Sequence, residues 1–513
     1  MNLFAGWIQL CQKWTKLAES SAEWVVHQSS ACHRDCIAGS CACHQTGGVA
    51  GSLTRMALPV AVKRSILSVD WSIWHNAESS QSVPVFLSGR MSTVRTFTTS
   101  RNHIAGIAVT ELAEKFGTPV YVYDQQVIDQ RIAELEAFDV VRYAQKACGN
   151  LAVLDRMRKQ GVVVDAVSAG EIRRAMAAGY SVDPGKHEIV YTADIFDREA
   201  LELVVKHSLP VNCGSPDMIS QLGERRPGAD VTLRINPGFG HGHSQKTNTG
   251  GQQSKHGIWH TQIDECLRRA DQTGVTVTGL HMHIGSGTDL EHLSEVCDAM
   301  ERTAKEVGRT IKTISAGGGL PVPYKADETY VDLAKYYELW NATRTRLGEG
   351  FGHHVALEIE PGRFLTAESG FLIAEVRSVK QVGGNQFVLV DAGFNDLARP
   401  VMYGSYHPIS VAARNGDAAE REQAEVVVGG PLCESGDIFT QREGGFVDTR
   451  CLPMARVGDF IVLENAGAYG FVMASNYNSK TRAAEVLIES GEAKLIRERE
   501  TFEDLVRGEV IPG

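Results

Sequence analysis

Strand-like runs alternate with amphipathic segments of helical length from residue 118 onward, and this alternation restricts the possible folds most strongly. Regular strand-helix alternation favours a parallel sheet covered by helices. Eight such repeats are typical of a (β/α)8 barrel. The predicted barrel strands are 140–144, 162–167, 188–192, 210–212, 231–236, 275–284, 313–316 and 355–360, with helical segments such as 150–160, 169–178, 197–207 and 290–307 between them.

The pattern changes beyond Leu365, where the helical segments end. Short alternating runs at 372–379, 386–390, 425–428 and 460–463, separated by Gly, Pro and Asn-rich turns, predict an antiparallel β domain. An early extended run at 119–123 could pair into that domain. The predicted α/β organisation is an extension at 1–90, a strand and helix at 91–138 that lead into the barrel, a barrel at 139–366 and a C-terminal β domain at 367–513.

The extension at 1–90 has no sustained hydrophobic period, and three interpretations of it are open. It could bind zinc, although its cysteines lack the Cys-x2-Cys pairs of common structural sites. It could be a targeting peptide, although no compact apolar core is present. We favour a poorly ordered, dispensable segment upstream of a natural start at Met91, and we expect no metal site. The candidate zinc ligands are His33, Cys36, Cys41, Cys43 and His44.

Composition excludes several classes of protein. The chain is 43% hydrophobic and 22% charged, with a formal net charge of −11, and it has no basic stripe that would bind a phosphate backbone. No uninterrupted apolar run reaches the roughly 18 residues of a membrane-spanning helix. We therefore expect a cytoplasmic protein without a nucleic-acid or membrane partner.

Lys146 stands two residues after the end of the first predicted barrel strand. The carboxyl ends of barrel strands converge on the face where such folds carry their active sites. A lysine at that face can lose its charge on desolvation and become a nucleophile. The alternative is an ordinary surface lysine, so the neighbouring strand ends decide between the two.

Three further strand ends carry polar groups. The sixth strand leads into His283 and a glycine-rich loop with Ser286 and Gly287, and the seventh leads into Gly317, Gly318 and Gly319. Such loops on adjacent strands can hold a phosphate with backbone N–H groups, although two flexible turns are the simpler alternative. The eighth strand delivers Glu360, which could instead pair with Arg363. A lysine, a phosphate cradle, a carboxylate and a stacking ring such as that of His283 are together what pyridoxal 5′-phosphate requires.

These motifs, taken together, resemble the diaminopimelate decarboxylase family, whose alanine-racemase-like fold is shared with ornithine decarboxylase. The resemblance covers residues 106–509. It implies pyridoxal-phosphate-dependent decarboxylation of meso-2,6-diaminopimelate to L-lysine, in a homodimer whose subunits share their active sites. The motifs are Tyr143-Ala144-Gln145-Lys146-Ala147, His283-Ile284-Gly285-Ser286-Gly287, Gly317-Gly318-Gly319, Glu360-Pro361-Gly362-Arg363, Cys433-Glu434-Ser435-Gly436-Asp437 and Gly467-Ala468-Tyr469-Gly470.

The resemblance also implies a role for each site residue. Lys146 holds the cofactor aldehyde, His283 stacks on the ring and Glu360 pairs with the pyridine nitrogen. Cys433, as the proton donor, and Glu434 reach the pocket of a partner subunit, whereas Tyr469 returns to the pocket of its own chain. The remaining roles are phosphate binding by Ser286, Gly287, Gly317, Gly318 and Gly319, and contact with substrate or phosphate by Arg363.

The choice of substrate has its own candidate residues. Diaminopimelate carries a second carboxylate and a second ammonium, so its pocket needs a planar cation and an acid. Arg399 with Tyr403, and Glu434, offer these groups, although Arg399 could also be a surface cation. Three alternatives are a decarboxylase of another basic amino acid, a racemase of the same fold, and a non-catalytic protein that binds pyridoxal phosphate. The segment 240–251 is predicted to close over the substrate.

Overall fold

A computed structural model describes residues 96–183, 185–240, 249–283 and 290–513 of the 513-residue chain. The extension at 1–90, with the three interpretations given above, lies outside these residues. Ser286, Gly287 and most of the predicted closing segment also lie outside them.

Several short strands and helices precede the barrel in the described chain. Strands β1 (His103–Ile104) and β2 (Ile107–Ala108) form an antiparallel hairpin, and helix α1 (Val109–Phe116) follows. Strand β3 (Val120–Asp124) and helix α2 (Gln125–Ala133) come next. The carboxylate of Asp124 accepts a hydrogen bond from the Gln126 amide, which caps the first turn of α2.

Eight parallel strands close into a barrel, which confirms the predicted fold class. The last barrel strand pairs with the first in register Glu358 with Val140, so the sheet has no free edge. The sixth strand ends at His281, three residues earlier than expected. The barrel strands are β4 (Val140–Ala144), β5 (Val163–Ala166), β6 (Ile189–Ala193), β7 (Val211–Cys213), β8 (Asp230–Asn236), β10 (Thr276–His281), β11 (Thr313–Ser315) and β12 (Ala356–Ile359), and β9 (Ile258–Trp259) is attached to β8.

Amphipathic helices connect the barrel strands. Several begin at a short polar residue whose side chain accepts a backbone N–H of the first turn, as Asn150, Ser168, Asp197 and Asp332 do. Within the part of the chain that the structure describes, no helix combines the length and apolarity needed to cross a bilayer. The helices are α3 (Leu151–Lys159), α4 (Ala169–Ala177), α5 (Arg198–His207), α6 (Pro216–Arg225), α7 (Ile263–Thr273), α8 (Leu290–Val307) and α9 (Leu333–Phe351).

A second sheet follows the barrel, and it is mixed rather than wholly antiparallel. Strand β3 pairs antiparallel with β13 and parallel with β19, and β14 pairs parallel with β16. Strand β3 can run antiparallel to β13 and parallel to β19 because no hairpin connects it to either of these strands. The remaining elements are α10 (Arg363–Thr366), β13 (Gly370–Val382), β14 (Asn385–Val390), α11 (Arg399–Tyr403), β15 (Ile409–Ala412), β16 (Gln423–Gly429), β17 (Arg450–Pro453), β18 (Phe460–Leu463), β19 (Ala484–Glu489), β20 (Glu492–Arg497) and α12 (Phe502–Val506).

The second sheet is joined closely to the barrel mouth. A Cβ atom added at Gly467 would lie 1.9 Å from the carbonyl oxygen of Thr366, so only glycine allows this approach. Two residues later, the Tyr469 amide donates to the Ala147 carbonyl at 2.8 Å. The turn that carries Lys146 is therefore tied directly to the second sheet.

Candidate active site

The carboxyl ends of the barrel strands open into a cavity that nine of the predicted residues line. The second sheet contributes to the same cavity through α11 and the loop of Tyr469. Site residues from distant parts of the sequence meet there because the closed barrel brings its strand ends together. The nine are Lys146, His283, Gly318, Gly319, Glu360, Arg363, Arg399, Tyr403 and Tyr469.

Lys146 projects into the cavity from a rigid turn. The chain leaves β4 at Ala144 and forms a short 3-10 turn, Gln145–Ala147, in which Lys146 is exposed while both neighbours are buried. The Gln145 side-chain amide donates to the Glu171 carbonyl at 3.2 Å. The backbone around the lysine is therefore fixed, while its amine faces the open cavity.

Glu360 is the buried carboxylate of the cavity. His281 Nε2 lies 2.7 Å from its Oε2, and Asn212 Nδ2 donates to its Oε1 at 3.2 Å. Burial raises the pKa of Glu360, but the charge and hydrogen bond of His281, followed by other nearby positive groups such as Arg234, together lower that pKa by more, so the net pKa lies well below its usual range. Glu360 is therefore a carboxylate anion although it is only 6% exposed.

Asp165 is a second buried carboxylate of the same cavity, and sequence reasoning missed it. Burial, followed by the negative charge of Glu360, raises its pKa. Its Oδ1 atom is buried and has no hydrogen-bond partner among the described residues. Sequence reasoning also missed the two groups that hold Glu360, Asn212 and His281, although His281 stands at a predicted strand end.

His283 presents a neutral ring to the cavity. Its Nδ1 accepts a hydrogen bond from the Gly318 amide at 3.0 Å. Burial, together with the nearby cation Arg234, holds the pKa of His283 well below its usual value. A neutral imidazole with one nitrogen already bound is suited to stacking or hydrogen bonding rather than to carrying charge.

The glycine-rich turn after β11 allows a very close backbone approach. Gly317 has a φ of +63°, and a Cβ atom at Gly318 would lie 2.5 Å from the Glu360 carbonyl oxygen. Gly318 and Gly319 line the cavity, whereas Gly317, which precedes them in the sequence, is not among the lining residues. Backbone amides therefore reach the cavity without intervening side chains, as an anion cradle requires.

Two arginines and two tyrosines form the wall on the side of the second sheet. Arg363 begins α10, and Arg399 begins α11, which ends at Tyr403. The Arg363 guanidinium lies 5.2 Å from the ring centroid of Tyr469, a residue with a φ of +58°. This wall offers concentrated positive charge to an anionic substrate.

Cys433 and Glu434 lie away from the cavity of their own chain. Both are exposed, and neither is among the residues that line the cavity. The loop that carries them is nevertheless well ordered by hydrogen bonds, since Asp437 accepts from the Leu432 amide at 2.8 Å and from the Phe394 amide at 2.7 Å. Within one subunit, the structure therefore does not bring these two predicted residues to the others.

Comparisons with known proteins agree with this geometry. A family model described as the pyridoxal binding domain of pyridoxal-dependent decarboxylases matches residues 125–367. The diaminopimelate decarboxylase of Escherichia coli strain K12 is 56% identical over 401 residues, which are 78% of this chain and 96% of that protein. The diaminopimelate decarboxylase of Streptomyces coelicolor is 52% identical over 408 residues, 80% of this chain and 93% of that protein.

A solved structure leads to the same family. A crystal structure of diaminopimelate decarboxylase, 56% identical in sequence, superposes with a TM-score of 0.76 over 78% of this chain and 95% of that chain. The chain therefore belongs to the diaminopimelate decarboxylase family of pyridoxal-dependent enzymes.

Proposed function

We propose that this protein decarboxylates meso-2,6-diaminopimelate to L-lysine and carbon dioxide with pyridoxal 5′-phosphate as cofactor. The observation that carries the proposal is a single cavity that holds the Lys146 amine, the Glu360 carboxylate and the guanidinium groups of Arg363 and Arg399. An amine and a buried carboxylate suit the cofactor. Two adjacent guanidinium groups suit a substrate that carries a further carboxylate at its far end.

The residues of the cavity fit the cofactor. Lys146 offers an amine for its aldehyde, and the glycine turn at Gly318 and Gly319 leaves room for its phosphate to approach the backbone, with the Gly319 amide as a donor. The unpartnered Oδ1 of Asp165 fits a group that brings a hydrogen-bond donor. When bound, pyridoxal phosphate supplies a ring that takes up the electron pair left by the departing carbon dioxide.

The chain's own residues prepare the site for this chemistry. His281 and Asn212 hold Glu360 as an anion, and that anion favours a protonated nitrogen placed next to it. His283 supplies a flat, uncharged face on the cavity wall. Lys146 presents its amine to the same cavity, where the carboxylates of Asp165 and Glu171 interact with its charge.

A direct assay tests the proposed function. Purified protein with pyridoxal phosphate and meso-diaminopimelate is expected to release carbon dioxide and form L-lysine in equal amounts. Cofactor binding without lysine formation would contradict the proposal. Racemised diaminopimelate would identify a racemase of the same fold, and turnover of L-ornithine alone would identify a decarboxylase of another basic amino acid.

We assign recognition of the second carboxylate to Arg399, supported by Tyr403 and Arg363. Replacing Arg399 with alanine is expected to lower kcat/KM for diaminopimelate about 10- to 100-fold, because hydrogen bonds to a charged group are lost. Residual turnover of L-ornithine, whose far end carries only an ammonium, is expected to change less than about threefold. Steady-state kinetics with both substrates measures the difference.

Arg377 provides the matched control for that substitution, since it is exposed and pairs with Glu375 on the second sheet. Arg377→Ala is expected to leave both substrates unaffected. Equal losses for diaminopimelate and L-ornithine in Arg399→Ala would refute the assignment of Arg399.

We also propose that the working enzyme is a homodimer in which Cys433 and Glu434 complete the cavity of the partner subunit. Their exposure and their absence from the described residues that line their own cavity support this arrangement. Cys433 then donates the proton that replaces the lost carboxylate, and Glu434 binds the substrate ammonium. We place the dimer in the cytoplasm, since the six cysteines of the described residues are all free thiols.

Mixing two inactive variants tests the shared site. Lys146→Ala keeps Cys433, and Cys433→Ala keeps Lys146, so each mixed dimer contains one complete site. Random exchange of subunits is expected to restore about a quarter of the wild-type activity. Mixed dimers that form, as judged by native mass spectrometry, but stay inactive would contradict a site built from two subunits.

A further inference from the structure

Tyr324 lies between the two arginines of the cavity wall. Arg363 Nη1 donates to its phenol oxygen at 3.0 Å, and Arg399 Nη1 donates to the same oxygen at 3.1 Å. Both arginines line the cavity, whereas Tyr324 is not among the described residues that line it. The phenol therefore acts on the cavity only through the two guanidinium groups.

The two guanidinium groups that share the Tyr324 oxygen repel each other, and the aromatic ring of Tyr324 offsets part of that repulsion. The guanidinium carbons of Arg363 and Arg399 lie 5.8 Å and 5.1 Å from the centroid of its ring. An aromatic face attracts a cation in addition to the hydrogen bonds that its oxygen accepts. Without the phenol oxygen, the two charges would lose their common acceptor and would tend to separate.

The pKa of the Tyr324 phenol lies below that of an ordinary phenol. Burial raises its pKa, but the charges of Arg399 and then Arg363 lower that pKa by more, so the net shift is downward. Both of these partners of the phenol oxygen, Arg363 and Arg399, are donors. The phenol oxygen therefore accepts two charge-assisted hydrogen bonds.

Neighbouring groups hold Tyr324 in place. Its amide donates to Glu328 at 2.7 Å, and Asn465 Nδ2 donates to the preceding carbonyl, that of Pro323, at 2.9 Å. His407 packs edge-on against its ring, with centroids 5.4 Å apart. These contacts fix the ring independently of any ligand.

His407 supports Arg399 from the same side. Its Nδ1 lies 2.9 Å from the Glu464 carbonyl oxygen, which only a protonated Nδ1 can satisfy, so its Nε2 is free to accept from Arg399 Nη1 at 3.1 Å. Burial and then the charge of Arg399 lower the pKa of His407 to about 3, so the ring is neutral. Arg399 thus donates to two acceptors behind the cavity wall, Tyr324 and His407.

We propose that Tyr324 is a positioning residue that holds the guanidinium groups of Arg363 and Arg399 side by side as a preformed clamp for the carboxylate that the substrate keeps through the reaction. This inference rests on the proposed function. Decarboxylation removes one carboxylate of diaminopimelate, and the product L-lysine retains the other. A clamp built for the retained carboxylate binds substrate and product alike, but it does not bind a diamine without a carboxylate.

Tyr324→Phe tests the clamp, since it removes one oxygen and keeps the ring. We expect the KM for diaminopimelate and the inhibition constant of L-lysine each to rise about tenfold, because two charge-assisted hydrogen bonds are lost. The kcat is expected to stay within about threefold, since the reacting atoms lie elsewhere. Inhibition by cadaverine, a diamine without a carboxylate, is expected to stay unchanged.

Tyr337→Phe is the matched control, because it removes a phenol oxygen that bonds to Asn341 on helix α9. Unchanged KM and inhibition constants in Tyr324→Phe, or equal weakening of L-lysine and cadaverine, would overturn the inference. Calorimetric binding of L-lysine gives the same comparison if turnover is too slow to measure, and thermal unfolding of both variants separates loss of the clamp from loss of the fold. A wild-type enzyme that forms no lysine would instead reject the proposed function.

Discussion

Replacing Lys146 with alanine is expected to lower kcat for lysine formation by at least about 1,000-fold, because the proposed function assigns to its amine the bond to the cofactor aldehyde on which the covalent chemistry depends. The structure exposes this amine to the cavity on a turn whose neighbours are buried. Removing the side chain beyond Cβ therefore changes the cavity without disturbing the barrel core. Lysine formation from diaminopimelate measures the effect.

A second readout identifies Lys146 as the attachment point. Borohydride treatment of the wild-type holoenzyme, followed by peptide mass mapping, is expected to place the cofactor on the peptide that contains Lys146. The same treatment of Lys146→Ala is expected to leave every peptide unmodified. Lys159→Ala is the control, since Lys159 is exposed and pairs with Asp155 on helix α3. Cofactor attached to another lysine in the wild type would refute the assignment.

Replacing Glu360 with glutamine is expected to lower kcat about 100-fold or more while cofactor content stays close to that of the wild type. A neutral amide cannot keep a proton on an adjacent ring nitrogen as a carboxylate does. Because the pKa of Glu360 is lowered, its anionic form is present above that lowered pKa and is lost only in more acidic solution. The loss in Glu360→Gln is therefore expected at neutral and at mildly acidic pH alike.

Glu358 on the same strand provides a matched control for this substitution. Its two oxygens accept from Arg142 at 2.7 Å and 2.8 Å, and it does not line the cavity. Glu358→Gln is expected to lower thermal stability, since it leaves the nearly buried Arg142 without its full partner, and to change kcat less than about threefold. Equal losses of kcat in the two variants would contradict the assignment, because they would show that the loss comes from disturbing the end of β12 and not from removing the charge of Glu360.

Much of the barrel could be predicted from sequence because its evidence is local. The apolar strands and the polar residues that cap α3, α4 and α5 lie within short windows of sequence. The second sheet was harder to predict. Its parallel pairs, β3 with β19 and β14 with β16, join segments with no hairpin between them, and a local pattern carries no information about the direction of such pairs.

The residues of the candidate site also fall into those that the sequence could predict and those that only the structure showed. Lys146, Glu360 and the glycines of the β11 turn stand at strand ends, where barrel geometry alone makes polar residues notable. Asp165 and Asn212 stand at the ends of short strands with no motif around them, and their role appears only from what they touch. Asn212 and Glu360 are 148 residues apart in the chain but 3.2 Å apart in space.

The sequence by itself therefore determined the barrel, the family and the residue types of the cavity, because hydrophobic period and motif spacing are properties of neighbouring residues. Only the tertiary structure decided which of these side chains form hydrogen bonds or ion pairs with each other. The bond from His281 to Glu360 and the placement of Tyr324 between Arg363 and Arg399 depend on distances of about 3 Å between separate elements. Closure of the barrel and docking of the second sheet set those distances, and no local sequence pattern encodes them.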